Sequence, residues 1–178
     1  MNEYKLKPIN ARTPWVTSTL IVVNIIVFGL MAISGVSWLD PPTDSLVQWG
    51  ANYGPMTLGD QSWRMLTSLF LHIGIIHLLL NMLVLANIGP AMETLLGSVA
   101  YVILYLVAGL AGSAASLAWH PLGVSAGASG AIFGLYGALI AFWVRGSAHR
   151  EILLPLWKGA VAFVAINLFS AFSNLELT

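Results

Sequence analysis

The chain has 178 residues, of which 58% are hydrophobic and only 8% charged, with 7 basic residues balancing 7 acidic ones. Soluble domains carry roughly a quarter charged residues, so a water-facing surface of ordinary charge density is excluded, and the even balance leaves no basic stripe for nucleic acid. The absence of cysteine removes disulfides, thiolate metal sites and a cysteine nucleophile.

Charge-free runs place the membrane segments. Apart from His, nothing ionisable falls between Arg12 and Asp40, between Arg64 and Glu93, or between Glu93 and Arg145. A helix that crosses the hydrocarbon core needs about 20 mostly apolar residues. The first run therefore predicts a span over residues 15–33, too long for a signal-peptide core and without a small-x-small cleavage site, so it is retained. The second predicts a span over residues 68–88. The third holds two, over 99–117 and 127–144, separated by Trp119-His120-Pro121-Leu122-Gly123. A fifth span is expected over 153–172, where Lys158 can extend its amine to the interface. The expected fold is thus an all-α polytopic helix bundle, one membrane domain over residues 1–178 with five transmembrane helices.

Basic residues orient the bundle. Lys5, Lys7 and Arg12 precede the first span, and Arg145, Arg150 and Lys158 surround the connection between the fourth and fifth. With alternating spans all of these fall on one face, which predicts a cytoplasmic N-terminus and places the loop between the first two spans outside. That loop carries Trp38, Trp49, Tyr53 and Trp63 among Pro, Gly and Asp. Aromatic rings belong at the headgroup level, so the loop is expected to embed in the outer leaflet.

Polar groups inside hydrocarbon are costly and need a reason. In the second span His77 and Asn81 are four residues apart and share one helix face, from which both side chains can donate hydrogen bonds toward one point. His72 falls on a different face, nearer the outer end. The plainer reading of such a pair is polar glue between helices. A metal site is not expected, because no carboxylate shares the span and the histidines lack zinc-motif spacing. At the start of the fourth span stands Gly127-Ala128-Ser129-Gly130, followed by Gly134. Here the plainer reading is close helix packing through small residues. The alternative is chemical: the first backbone N–H groups of a helix lack intrahelical partners and, with the positive dipole end, can hold an oxyanion beside the Ser129 hydroxyl. Both spans run inward from the outer face. At 1.5 Å per residue, His77 would lie about 13 Å down a helix that starts at Ser68, and Ser129 reaches such depth only if the preceding loop dips into the bundle, which irregular backbone can do where it lines a water-filled cavity.

The chain resembles the rhomboid family of intramembrane serine proteases. The features that match are Trp63-Arg64 in the outer loop, His77-x-x-x-Asn81, the Gly89-Pro90…Glu93 end of the second span, and Gly127-Ala128-Ser129-Gly130. The resemblance implies a serine endopeptidase that cuts transmembrane segments of membrane proteins at small residues. It makes Ser129 the nucleophile, and His77, Asn81 and the Ser129 backbone N–H the oxyanion hole. Gly127 and Gly130 would serve substrate approach, and Trp63 and Arg64 the structure of the outer loop. It implies no cofactor, metal or nucleic acid, with transmembrane substrates and the bilayer as partners, and a multi-pass location in a bacterial inner membrane.

The family's base is a histidine on a sixth helix. His72, His77, His120 and His149 do not match it, and the chain reaches Asn174-Leu175-Glu176-Leu177-Thr178 about where the approach to that helix should begin. The expectation is therefore a domain that stops short of its last helix, nearly inactive over these residues alone because a serine hydroxyl is a poor nucleophile without a base. Two other readings are a catalytically inactive relative that binds transmembrane clients, and a small transporter or channel lined by His77, Asn81 and Ser129. The second of these lacks an acidic residue in mid-membrane to couple ions.

Overall fold

A computed structural model describes residues 14–145 and, in the following segment, residues 156–157, 159–161, 163–165 and 167. Helix α1 (Trp15–Ile33) coincides with the first predicted span. An outer segment follows, with short helices α2 (Thr43–Gln48), α3 (Gly54–Thr57) and α4 (Arg64–Thr67), strand β1 (Asn52–Tyr53) and a 3-10 turn at Ser68–Phe70. Then come α5 (Ile75–Leu96), α6 (Ser98–Trp119), strand β2 (Val124–Ser125) and α7 (Ser129–Val144). Three of these, α1, α5 and α6, are long and apolar enough to cross a membrane. The whole is a helical membrane bundle.

The second span differs from the expected 68–88. Gly74 adopts φ +82, which only glycine takes at little cost, and a Cβ there would run into the Leu39 carbonyl. The chain therefore turns at Gly74, and Ile75 N–H donates to the Trp38 carbonyl (2.8 Å) to start α5 anew. Residues 68–74, apolar but irregular, belong to the outer segment. His77 consequently sits in the first turn of α5 rather than about 13 Å down a helix. The fifth expected span lies largely outside the described residues. Its described part packs along α7, with Phe163 against Phe133 (4.9 Å between ring centroids) and Trp157 against Trp143 (5.8 Å), so it runs antiparallel to α7. Lys158, His149, the basic residues of the N-terminus and residues 174–178 lie outside the described residues.

Lipid gives apolar side chains no reason to leave it, so membrane helices associate through close packing and buried polar bonds. Both occur here. Between α6 and α7 small residues let the backbones touch: a Cβ on Gly112 would come 3.0 Å from Gly130 Cα, and one on Gly134 would collide with Ala108. Between α1 and α5 the buried Glu93 carboxylate accepts the backbone N–H groups of Val16 (3.1 Å) and Thr17 (2.9 Å) and the hydroxyls of Thr17 and Ser98 (2.9 Å each). It thereby caps the start of α1, whose first N–H groups have no helical acceptor. Ile132, Leu135 and Leu139 of α7 are fully buried at the centre of the bundle, while Ile25, Ile26 and Leu30 of α1 and Ile103 and Val107 of α6 face outward.

The outer segment is ordered by Arg64. Its buried guanidinium donates to the carbonyls of Val47 (2.6 Å) and Ala51 (3.2 Å) and to Gln61 Oε1 (2.7 Å), and lies 4.7 Å from the centroid of the Trp63 ring. The all-helical expectation misses one feature. Strands β1 and β2 form a two-residue antiparallel ribbon, Asn52 opposite Ser125 and Tyr53 opposite Val124, extended by Gly54 N–H to the Pro121 carbonyl (2.9 Å). It ties the outer segment to the stretch leading into Ser129.

Candidate active site

Ser129 is the first residue of α7. The helix has its first bond from Ile132 N–H to the Ala128 carbonyl (3.0 Å), so the N–H groups of Ser129, Gly130 and Ala131 precede the helical ladder and point out of its start. The approach is shaped by Gly127. Its φ of +134 lies where L side chains are strained, and its N–H donates to the Ser68 carbonyl (2.9 Å), which draws the backbone down from β2.

His77 meets this backbone. A Cβ built on Gly127 would come 2.7 Å from His77 Cε1 and 3.0 Å from Nε2, so only glycine lets the imidazole edge lie against the turn. His77 Nδ1 accepts the Ile73 N–H (3.4 Å). A neutral imidazole that accepts at one nitrogen carries its proton on the other, which puts an N–H donor on the Nε2 side, two residues from Ser129. Asn81 is buried one turn further along α5, where its Nδ2 donates to the His77 carbonyl (2.9 Å). One amide N–H of Asn81 is thus committed to its own helix and its other remains for an acceptor on the same face.

Ser129, Gly127 and Gly130 border a cavity of about 300 Å³ whose other polar lining comes from Ser68, Ser113, Ser116 and Ser125. The geometry thus joins His77 to Gly127 and joins Gly127, Ser129 and Gly130 around one cavity. Trp63 and Arg64 stand apart in the outer segment, and Trp63 is half exposed. His72 is not on a second face of α5. It precedes the helix, wholly buried, with its ring 5.2 Å from that of His77 at 63°. The serines of the cavity and Asn52 are absent from the sequence-based site. Ser113 and Ser116 lie three residues apart on one face of α6, a signal available in the sequence but common in membrane helices. Asn52 gave no signal.

A cavity with several serines in its wall at a helix N-terminus, with His77 packed behind its Gly127, can bind a carbonyl group and stabilise charge on its oxygen. Comparison with known proteins gives the family. A Rhomboid domain profile matches residues 59–176. The chain is 39% identical over 165 residues to Rhomboid protease GluP of Bacillus subtilis, covering 92% of this chain and 31% of that protein. It is 33% identical over 161 residues to Putative rhomboid protease YdcA of the same organism, covering 84% and 80%. It is 32% identical over 127 residues to Rhomboid-like protease 3 of Toxoplasma gondii, covering 71% and 46%. The chain thus spans less than half the length of two of these relatives and most of the third, and it belongs to the rhomboid family.

Proposed function

We propose that the chain is the serine endopeptidase domain of an intramembrane protease that cuts transmembrane segments of other membrane proteins. The observation that carries this reading is the close approach of His77 to Gly127, a wall of the cavity two residues before Ser129 opens α7.

In this reading the Ser129 hydroxyl attacks the scissile carbonyl carbon as its proton passes to a base. Negative charge develops on the carbonyl oxygen, held by His77 Nε2–H, the Asn81 amide and the Ser129 backbone N–H. Collapse breaks the C–N bond, the leaving nitrogen takes the proton back from the base, and water then releases the acyl group from Ser129. The 300 Å³ cavity receives a small side chain next to the cut bond, and its serine hydroxyls hold water for the second half.

The base that this reading calls for is the family's histidine, which none of the four histidines of these 178 residues matches. In this reading His77 is given to the oxyanion, His72 is buried against it, His120 is exposed in the loop beyond α6, and His149 is assigned to the cytoplasmic face. The cytoplasmic N-terminus and bacterial inner membrane belong to the same proposal.

The test is labelling by a fluorophosphonate in the full-length protein in membranes. The expected result is one labelled peptide containing Ser129, lost in Ser129→Ala. Equal labelling of both proteins would refute the assignment.

A further inference from the structure

Asn52 lies in the outer segment, at 1% exposure, behind two residues that wall the cavity, Ser113 and Ser125. Its Nδ2 donates to the Ser113 carbonyl on α6 (3.0 Å) and to the Ser125 hydroxyl on β2 (3.3 Å), which uses both amide protons. The hydroxyls of Ser113 and Ser68 both donate to the Met65 carbonyl (2.9 and 3.2 Å), and the Ser68 carbonyl takes the Gly127 N–H (2.9 Å). Gly127 follows Ser125 by two residues. The bonds therefore close a hoop that runs from Asn52 through Ser113, Met65, Ser68 and Gly127 to Ser125 and back. Ser68, Ser113, Ser125 and Gly127 are all walls of the cavity beside Ser129.

We propose that Asn52 is a positioning residue that fixes the width of this cavity, and through it the size of the substrate side chain admitted next to the cut bond. The inference rests on the peptidase reading of Ser129. Two of the walls, α6 and the 124–127 stretch, belong to different elements, and Asn52 is the side chain that bonds to both. Without it the ribbon still pairs backbone to backbone and Met65 and Ser68 still tie Ser113 to Gly127, but the one side chain that spans directly from the Ser113 carbonyl to the Ser125 hydroxyl is gone. A pocket for a small apolar group separates side chains by about tenfold or more per excess methylene only while its walls stay fixed.

The experiment uses the full-length protein in liposomes with single-span substrates identical except for Gly, Ala, Leu or Phe before the cut bond, the site being mapped by mass spectrometry. Asn52→Ala is expected to lower the Ala-over-Leu ratio of kcat/KM by about tenfold, mainly through a higher KM for the Ala substrate, while Ser129 is still labelled by fluorophosphonate. Ser125→Ala should shift the ratio in the same direction, and the double variant should fall short of the product of the two effects, because both remove one bond. A uniform loss across the four substrates with the ratio unchanged, or full additivity, would overturn the proposal. Should Asn52→Ala fail to fold, Ser125→Ala opens the hoop at its other end and reads the same ratio. Failure to label Ser129 in the unsubstituted protein would sink the peptidase reading, whereas a labelled Ser129 with an unmoved ratio sinks only the role of Asn52.

Discussion

Gly127 and His77 are a matched pair, and each limits what the other position can be. A methyl group at residue 127 would have to occupy space within 3.0 Å of the imidazole, on a backbone at φ +134. The ring cannot retreat without giving up the Ile73 N–H that fixes its tautomer. Gly127→Ala is therefore expected to reduce the rate of Ser129 labelling by about 100-fold or more, comparable to the loss of an oxyanion donor, with the helices still folded by circular dichroism. His77→Ala should cost a similar factor for a different reason, since the donor proposed for the oxyanion is gone. If the two effects multiply in the double variant, the pair does not act as a unit. The string Gly127-Ala128-Ser129-Gly130 was readable as a candidate site because small residues around a serine at a helix start have a chemical use. That His77 should approach it was also expected, from two spans running inward from one face, but the close fit of the imidazole to Gly127 was not, since residues 50 apart in sequence meet only through the bundle.

At the level of helices, α5 bears on the site at one end and on stability at the other. Gly74 sets where it begins, so that His77 falls in the first turn, and Glu93 near its far end collects the first N–H groups of α1. Glu93→Ala would leave two backbone donors and two hydroxyls without their acceptor, in a place water does not easily reach. At 1.5–3 kcal/mol for a hydrogen bond to a charged group, offset by local rearrangement, the net destabilisation should be about 2–4 kcal/mol. Glu93→Gln keeps one strong acceptor and should lose less than half as much. Unfolding of the protein from mixed micelles in rising dodecyl sulfate measures both, and equal values for Ala and Gln would show that the carboxylate is not the anchor. Hydropathy placed α1, α6 and α7 to within two residues, because their apolar stretches end where their helices end. It misplaced α5 at both ends, because residues 68–73 are as apolar as a helix yet are turned back by the glycine that follows, and because the helix runs on through Pro90 to Leu96. Composition reports burial in lipid or protein. It does not report which backbone lies there.

Across the whole molecule, the outer segment and the bundle form one mechanical path to Ser129. Arg64 gathers the carbonyls of Val47 and Ala51, Ala51 precedes Asn52, the ribbon couples Asn52 to Ser125, and Gly127 then hands the chain to α7. Trp63-Arg64 was legible as a motif of the outer loop, but its role as an internal clamp depends on carbonyls 13 and 17 residues away, which no local pattern announces. Arg64→Lys removes the planar fork that can hold both carbonyls and Gln61 at once. The expected outcome is faster cleavage of residues 34–63 by an added soluble protease and a several-fold slower labelling of Ser129, with detergent resistance of the helices close to that of the unsubstituted protein. The separation of these readouts follows from where the bonds lie. The α6–α7 contact of Gly112 with Gly130 and the Glu93 cap do not involve Arg64, so the bundle keeps its own supports when the clamp opens. Slower labelling without faster proteolysis would mean that Arg64 acts on the site directly and not through the order of the outer segment. An unchanged labelling rate despite rapid nicking would mean that the ribbon does not transmit the clamp to Ser129.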